Sequence, residues 1–476
     1  MRILLVTGKM AEDIVRKNSG GCDVLVIDVD IAAFITHRDL EKIDISGYDL
    51  VLVPGLAKGK WVELEKKKGV KIRLGPVHAF DIPKVINAVD KIELSHNIPA
   101  DRLIELEKEK ELIELIERDE VGVFDIGGVQ IGGKSRMKIV AEVVDATELE
   151  KDELAGRIEY YTECGADIID LGIPLSFSSD DVRRVMKIAR DACSAVSIDT
   201  FSRRAVEIGV EQGVDMVMSI SLQNLDVMEV IEDQAVVAVD RDVERLKHLT
   251  EILRTKTERV IADPVLDLNG LVYSIQRYSA YRKMDPVTPT LFGAGNVTEL
   301  FDADSSGINA LLAYMGMEVG ASMLFTTEAS VKTRGSVMEL KRASYIVKGA
   351  EIRHSPPKDL GINLLSLKEK FLYPEPEKPE RYVNAERSRK FERDPMGDFR
   401  IWISGGMIFC HHENAVIGGK DAKSILDTVL RLNLISRLDH AGYLGRELKK
   451  AEVALTLGKN YMQDQPLGFG IYGKIE

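Results

Sequence analysis

The sequence is poor in most of the signals that would assign a function at once. It has four cysteines, Cys22, Cys164, Cys193 and Cys410, and no two of them form a CxxC pair. Reduced, unpaired thiols in a cytoplasmic protein are therefore the expectation. Basic residues are the minority: 64 Lys and Arg stand against 77 Asp and Glu, a net charge of −13. A general nucleic-acid binder needs a basic surface to displace counterions, so no nucleic-acid partner is expected, although a local pocket can still take an anionic ligand. No run approaches the roughly 20 apolar residues of a membrane helix, so no membrane partner is expected. The opening MRILLVTGKM lacks the longer apolar stretch and small-residue cleavage site of a signal peptide. Histidine is scarce, and His248 is the single one between residues 137 and 350.

What is present is a globular composition, 45% hydrophobic and 30% charged, over 476 residues, too many for one ordinary core. Up to about residue 95 the short apolar runs Ile3 to Val6, Val24 to Val29, Leu50 to Pro54 and Val70 to Leu74 alternate with helical stretches. That predicts a small parallel sheet, an N-terminal α/β accessory domain over 1–98. Residues 99–136 are a connector: an amphipathic helix over 99–119, then the Gly-rich 122–135, which reads as hairpin turns or a loop.

From 137 to 350 the pattern is regular. The runs KIVAEVVD, ADIIDLG, AVSIDT, VDMVMSIS, AVVAVD, RVIADP, TPTLFGAGN and ASMLFTTE each precede a helical pattern, eight βα units in all. Nearly continuous apolar runs suit strands buried on both faces. Eight such units most economically close into a (β/α)8 TIM barrel, with a doubly wound open sheet as the alternative. Residues 351–395, rich in proline and charge, are a linker or surface arm. A C-terminal α+β domain occupies 396–476, with a β-like start and helical stretches at 421–433 and 436–458.

Polar residues fall at the strand ends: Asp145, Asp170, Asp199, Ser219 or Ser221, Asp240, Asp263, Asn296, and Thr326 to Glu328. In a parallel barrel these ends converge on one mouth. Carboxylates crowded there need a metal, a cationic substrate, or a heterocycle rich in N–H donors. With one histidine a zinc site is not expected. A pterin fits, because its N3–H and 2-amino group lie side by side where one carboxylate can accept both, and an amide serves positions of mixed character. Any single strand-end Asp has a plainer reading as a helix cap, and Asp240 is one candidate for it. The case rests on the ensemble.

ADIIDLG (166–172), SIDTF (197–201), IADP (261–264) and GAGN (293–296) resemble, in order and spacing, the pterin-binding barrel family of dihydropteroate synthases and methyltetrahydrofolate-type methyltransferases. The three-part layout resembles archaeal dihydropteroate synthase-related proteins associated with tetrahydromethanopterin metabolism. The resemblance implies that Asp199, Ser219, Asp263, Asn296 and Asp170 bind the pterin, with Asp263 on its 2-amino and N3 edge. It implies Mg at Asp145, and Asn296 near N5 in a methyltransferase-like role, so that Asn296 and Asp145 are the catalytic candidates, with Asn309 on the next helix. The pattern also departs from the synthases. No Ser-Arg-Lys run succeeds strand seven, no late His succeeds strand eight, and Ile173-Pro174-Leu175-Ser176 replaces a Thr-Arg loop. Arg203 and Arg334 are the cations that could compensate. Three functions are open: condensation of an arylamine with a pterin methyl diphosphate, methyl transfer from a tetrahydropterin, or non-catalytic pterin binding as a scaffold. A homodimer is expected. In the last domain Cys410, His411, His412 and His440 invite a metal reading, but adjacent strand residues face opposite ways, so at most one of the paired histidines can join Cys410.

Overall fold

Short runs of β-branched and leucine residues, buried on both faces, form the first sheet. β1 (Ile3–Gly8), β2 (Asp23–Ile27), β3 (Leu50–Val53) and β4 (Lys71–Leu74) lie parallel in the order β2-β1-β3-β4. Leu4 and Val6 pack into one face's core with Trp61, while Ile3 and Leu5 pack into the other with Val85 and Ile104. These are features of a computed structural model that describes residues 1–370, 372–373, 378–386 and 392–470. The chain divides into two compact units, Met1–Pro374 and Glu375–Glu476.

The helix Ala100–Arg118 joins the first sheet to the rest of the first unit. Its first turns bury Ala100 and Ile104 against that sheet, and Leu112 and Ile116 pack with Tyr345 and Ala350 of the helix Ser336–Arg353. An Arg342–Glu109 ion pair at 2.9 Å runs along the same contact. The Gly-rich stretch is a hairpin of β5 (Phe124–Ile126) and β6 (Val129–Ile131). Its turn, Gly127 and Gly128, has positive φ at both residues, as a two-residue hairpin turn requires.

Next come eight parallel strands: β7 (Lys138–Val143), β8 (Ile168–Gly172), β9 (Val196–Asp199), β10 (Met216–Ile220), β11 (Ala235–Val239), β12 (Val260–Asp263), β13 (Leu291–Phe292) and β14 (Met323–Thr327). They pair in the order β12-β11-β10-β9-β8-β7-β14-β13, and a parallel bridge between Ala262 and Thr290 joins the two ends. The result is the (β/α)8 barrel. Alternation sorts its side chains. Val140, Ile168, Met216, Met218, Val237 and Ile261 fill the interior, while Ile139, Ala141, Ile169, Ile198, Val236 and Ala262 face the helices. Ile126 and Ile131 of the hairpin belong to the interior cluster, so the hairpin plugs the N-terminal end. Beneath it Arg136, almost fully buried, forks onto Asp167 at 2.8 and 2.6 Å, and Lys138 pairs with Glu120.

The segment after the barrel is not an arm throughout. Leu360 and Ile362 are buried with Leu112 and Ile116, because their apolar side chains complete that helix contact. The parts of the linker at 371, 374–377 and 387–391 lie outside the described residues.

In the second unit β15 (Arg400–Ser404), β16 (Met407–His412) and β17 (Ala415–Gly419) form an antiparallel sheet, covered by helices Ala422–Arg431 and Leu438–Leu457 over Ile408, Ile425, Val429 and Leu448. Cys410 and His412 share the buried face, and His411 is exposed. His412 accepts from the Asn414 N–H at Nδ1 and lies 2.6 Å from the Met396 carbonyl at Nε2. Both ring nitrogens are thus taken, which leaves none for a metal. Across the described residues, no helix is long and apolar enough to cross a membrane.

Candidate functional site

The alternation that buries Val140 also turns Glu142, two residues on, into the barrel. Opposite it β8 contributes Asp170, and β9 contributes Asp199 two residues further along the register. The three carboxylates bring oxygens within 4.8 Å of one another. Asp170 is fully buried; one of its oxygens accepts from Ser197 Oγ at 2.5 Å and the other has no hydrogen-bond partner. Ser219 donates to Asp199 from a bulged position of β10 with φ 58°, where the register to β11 shifts. A bulge at a barrel rim re-aims a side chain in this way.

Burial dominates the electrostatics. It pushes the Glu142 carboxyl up to about 7, helped by the like charge of Asp199. It lifts Asp170 well above the carboxylate range, again with Asp199 adding to it, and raises Asp199 as well. No cation is among the groups acting on these three. A desolvated acid without a counter-ion holds its proton or seeks a donor. The cup is therefore an acceptor site awaiting hydrogen-bond donors or a cation.

Asp263 ends β12 beside this group. Its Oδ1 accepts from the Val265 N–H at 2.8 Å and sits 2.9 Å from the Tyr278 hydroxyl, which is also 2.8 Å from the Leu291 carbonyl. Burial carries its pKa up to about 6, against the pull of these donors and of Arg277. Asn296, exposed after β13, donates from Nδ2 to the Leu266 carbonyl at 3.0 Å, which leaves its Oδ1 available.

Asp199, Asp263, Asp170 and Ser219 thus come together, and Asn296, in the short helix Gly295–Thr298, reaches the turn that follows Asp263 through the Leu266 carbonyl. Asp145 is exposed beyond β7 in a left-handed conformation and is not one of the three converging acids. Asp240 is held by Arg245 in a two-point ion pair, with its pKa lowered. Asn309 is buried between two helices, donating to Ser336 and Glu339. Glu328 accepts from the Val337 N–H and the Tyr160 hydroxyl, which ties the last loop.

The arginines of the mouth are largely spent: Arg203 on Glu229, Arg241 on Asp267 and Arg245 on Asp240. Arg334 is exposed. Around the acidic cup the loops after the strands expose Leu175, Phe201, Leu222, Leu300, Phe301 and Val331. Polar groups at the base with apolar side chains at the rim suit a flat ligand with a polar edge. Glu142, Arg277 and Tyr278 are site residues that the sequence does not announce. Glu142 has a signal, since Lys138, Val140 and Glu142 share one face of an otherwise apolar run. The other two lie inside an ordinary helical pattern and have none.

Residues 393–464 match the family described as PterinBD-DUF4346. An uncharacterized protein of Methanocaldococcus jannaschii is 37% identical over 98% of this chain and 98% of its own length. A Ycf91-like protein of Nostoc is 29% identical, covering 17% of this chain and 91% of that protein. Among solved structures, a dihydropteroate synthase of Yersinia pestis with a pterine-sulfa conjugate has a TM-score of 0.38 at 16% identity, over 46% of this chain and 95% of that one. The synthase of Thermus thermophilus has a TM-score of 0.37 at 18% identity, over 44% and 92%.

Proposed function

The chain belongs to one family with the Methanocaldococcus jannaschii protein, and from that premise we propose that this is a family of dihydropteroate synthase-related proteins, that the barrel mouth binds a reduced pterin and that the chain is a pterin-dependent transferase. Asp263 and Asp199 accept from the N–H edge of the ring, and the apolar rim covers its faces. Ser219 orients Asp199, and Asp170 stands behind it. The observation that carries this reading is the group of three converging carboxyls, Glu142, Asp170 and Asp199, with no cation acting on them and with Asp263 close enough to feel the charge of Asp199. Such a base needs donors, and an aminopyrimidinone edge supplies a row of them.

The absence of a cation among the groups acting on these three acids argues against a polyanionic leaving group at this mouth, where stabilisation would need positive charge aimed at the developing anion. Transfer of a one-carbon group from N5 of the pterin is therefore the reaction the electrostatics favour. As the N5–carbon bond breaks toward an acceptor nucleophile, its electron pair stays on N5, which then takes a proton. The Asn296 Oδ1, left over after Nδ2 is committed to Leu266, is the acceptor for a protonated N5.

Condensation of an arylamine with a pterin methyl diphosphate is the second reading, and one observation favours it. The oxygens of Glu142, Asp170 and Asp199 are close enough to hold a hard divalent cation such as Mg2+, a role for which Asp145 alone is less suited. The ion would supply charge to offset diphosphate. Calorimetric titration with dihydropterin and tetrahydropterin, each with and without diphosphate and Mg2+, separates the two. Binding indifferent to diphosphate supports one-carbon transfer, tighter binding with diphosphate and Mg2+ supports condensation, and no pterin binding under any condition rejects both.

A further inference from the structure

The turn after β12 is held in an unfavourable shape by side chains that no motif marks. Val265 has φ 66°, a left-handed conformation that a β-branched residue rarely adopts. It persists because its surroundings over-determine it. Arg277 donates from Nε to the Pro264 carbonyl at 3.0 Å and from Nη2 to the Val265 carbonyl at 2.7 Å. Asn296 takes the next carbonyl, that of Leu266. Turned this way, the Val265 N–H meets Asp263 Oδ1, and Tyr278, with 1% exposure, closes on the same oxygen from the helix behind. Two groups thus hold Oδ1 of the carboxyl, and two more hold the turn that carries it. Oδ2 takes none of these bonds.

We propose that Arg277 and Tyr278 are positioning residues that lock the Asp263–Pro264–Val265 turn so that Asp263 presents Oδ2 to the ligand with its other oxygen already saturated. The role deepens the pterin-binding reading of the same mouth and rests on it only for the identity of the ligand. Strain in the turn is what gives the pair its function. Without the Arg277 clamp Val265 relaxes toward negative φ, its N–H leaves Asp263, and the carboxyl swings. Specificity arises from the same lock, because a single fixed oxygen discriminates among ring edges that a mobile carboxylate would accommodate.

The test uses the full chain with carbon-13-labelled aspartate, in which Asp263 is assigned by its loss in Asp263→Asn. Tyr278→Phe, nearly isosteric, and Arg277→Gln are each expected to raise the titration midpoint of Asp263, because each removes an interaction that favours its charged form. Dihydropterin binding is expected to weaken about tenfold in each. Adding Val265→Gly to Arg277→Gln should restore part of both, since glycine adopts the left-handed turn without strain. A purely structural role would not produce that rescue. Unchanged Asp263 titration in both folded variants, or no rescue by Val265→Gly, overturns the proposal. If the titration shifts and is rescued while the parent chain binds no dihydropterin, the positioning role stands and the pterin reading fails.

Discussion

At the scale of the residue the mouth of this barrel is a problem in proton counting. Burial pushes the Glu142 carboxyl up to about 7, so its protonated form favours the folded chain. That contribution is fully present below the ordinary carboxylate range and is lost as pH rises toward 7. Glu142→Gln is expected to flatten this dependence and to stabilise the chain at pH 8 by about 2 kcal/mol, somewhat less than the whole shift because its neighbours titrate with it. Denaturant unfolding at pH 5 and pH 8 reads the difference, and equal losses in parent and variant would refute it. Burial raises Asp263 as well, but there the charged form is the one that binds. A ligand that donates to its carboxylate should bind less tightly as pH falls through about 6. Asp263→Asn should cost about 2 kcal/mol or more of pterin affinity, since it removes a charge-assisted pair. Unchanged affinity in titration calorimetry would take Asp263 out of the site.

At the scale of the element, the two ends of the barrel obey different physics. The lower end is closed by packing and compensated charge. A side chain on Gly127 would place its Cβ 2.6 Å from the Ser194 carbonyl at a residue with φ 54°. Gly127→Ala should therefore lift the hairpin from the barrel and cost about 1–3 kcal/mol, visible as a lowered melting temperature. Removing Asp167 strands a guanidinium with 3% exposure, so Asp167→Ala should destabilise by about 3–5 kcal/mol, or prevent folding. The upper end is the reverse: Glu142, Asp170 and Asp199 have no cation acting on them, and Asp145, Ser219 and Val265 depart from ordinary backbone geometry near strand ends. Strain and uncompensated charge both lower stability, and their concentration at one end fits a surface shaped for a ligand.

At the scale of the whole molecule the two units each own a core. The second is built on Ile408, Cys410, Ile425, Val429, Leu444 and Leu448. A chain cut after residue 374 and the fragment 375–476 are each expected to give a cooperative unfolding transition by calorimetry; a fragment that melts without one would show that its core depends on the rest. The match of residues 393–464 to a family of their own is consistent with such a module. The first unit is larger than its barrel, because the helix Ala100–Arg118 shares residues with both the first sheet and the barrel's last helix.

The eight strands, their order of appearance and the polar residues that end them were set by the sequence itself. Strands buried on both faces must be apolar along their length, and that periodicity survives without any knowledge of partners. Asp170, Asp199, Ser219 and Asp263 were legible for the same reason, each breaking an apolar run at its end. Tertiary structure alone decided which polar groups face one another and which are already satisfied. Asp240 and Asp263 look alike along the chain, yet one is neutralised by Arg245 and the other is desolvated and clamped by a helix that starts eight residues later. Glu142 became a site residue only when closure set it against Asp170 and Asp199. Charge, desolvation and hydrogen bonding depend on distances across the barrel, and a linear pattern carries period but not distance.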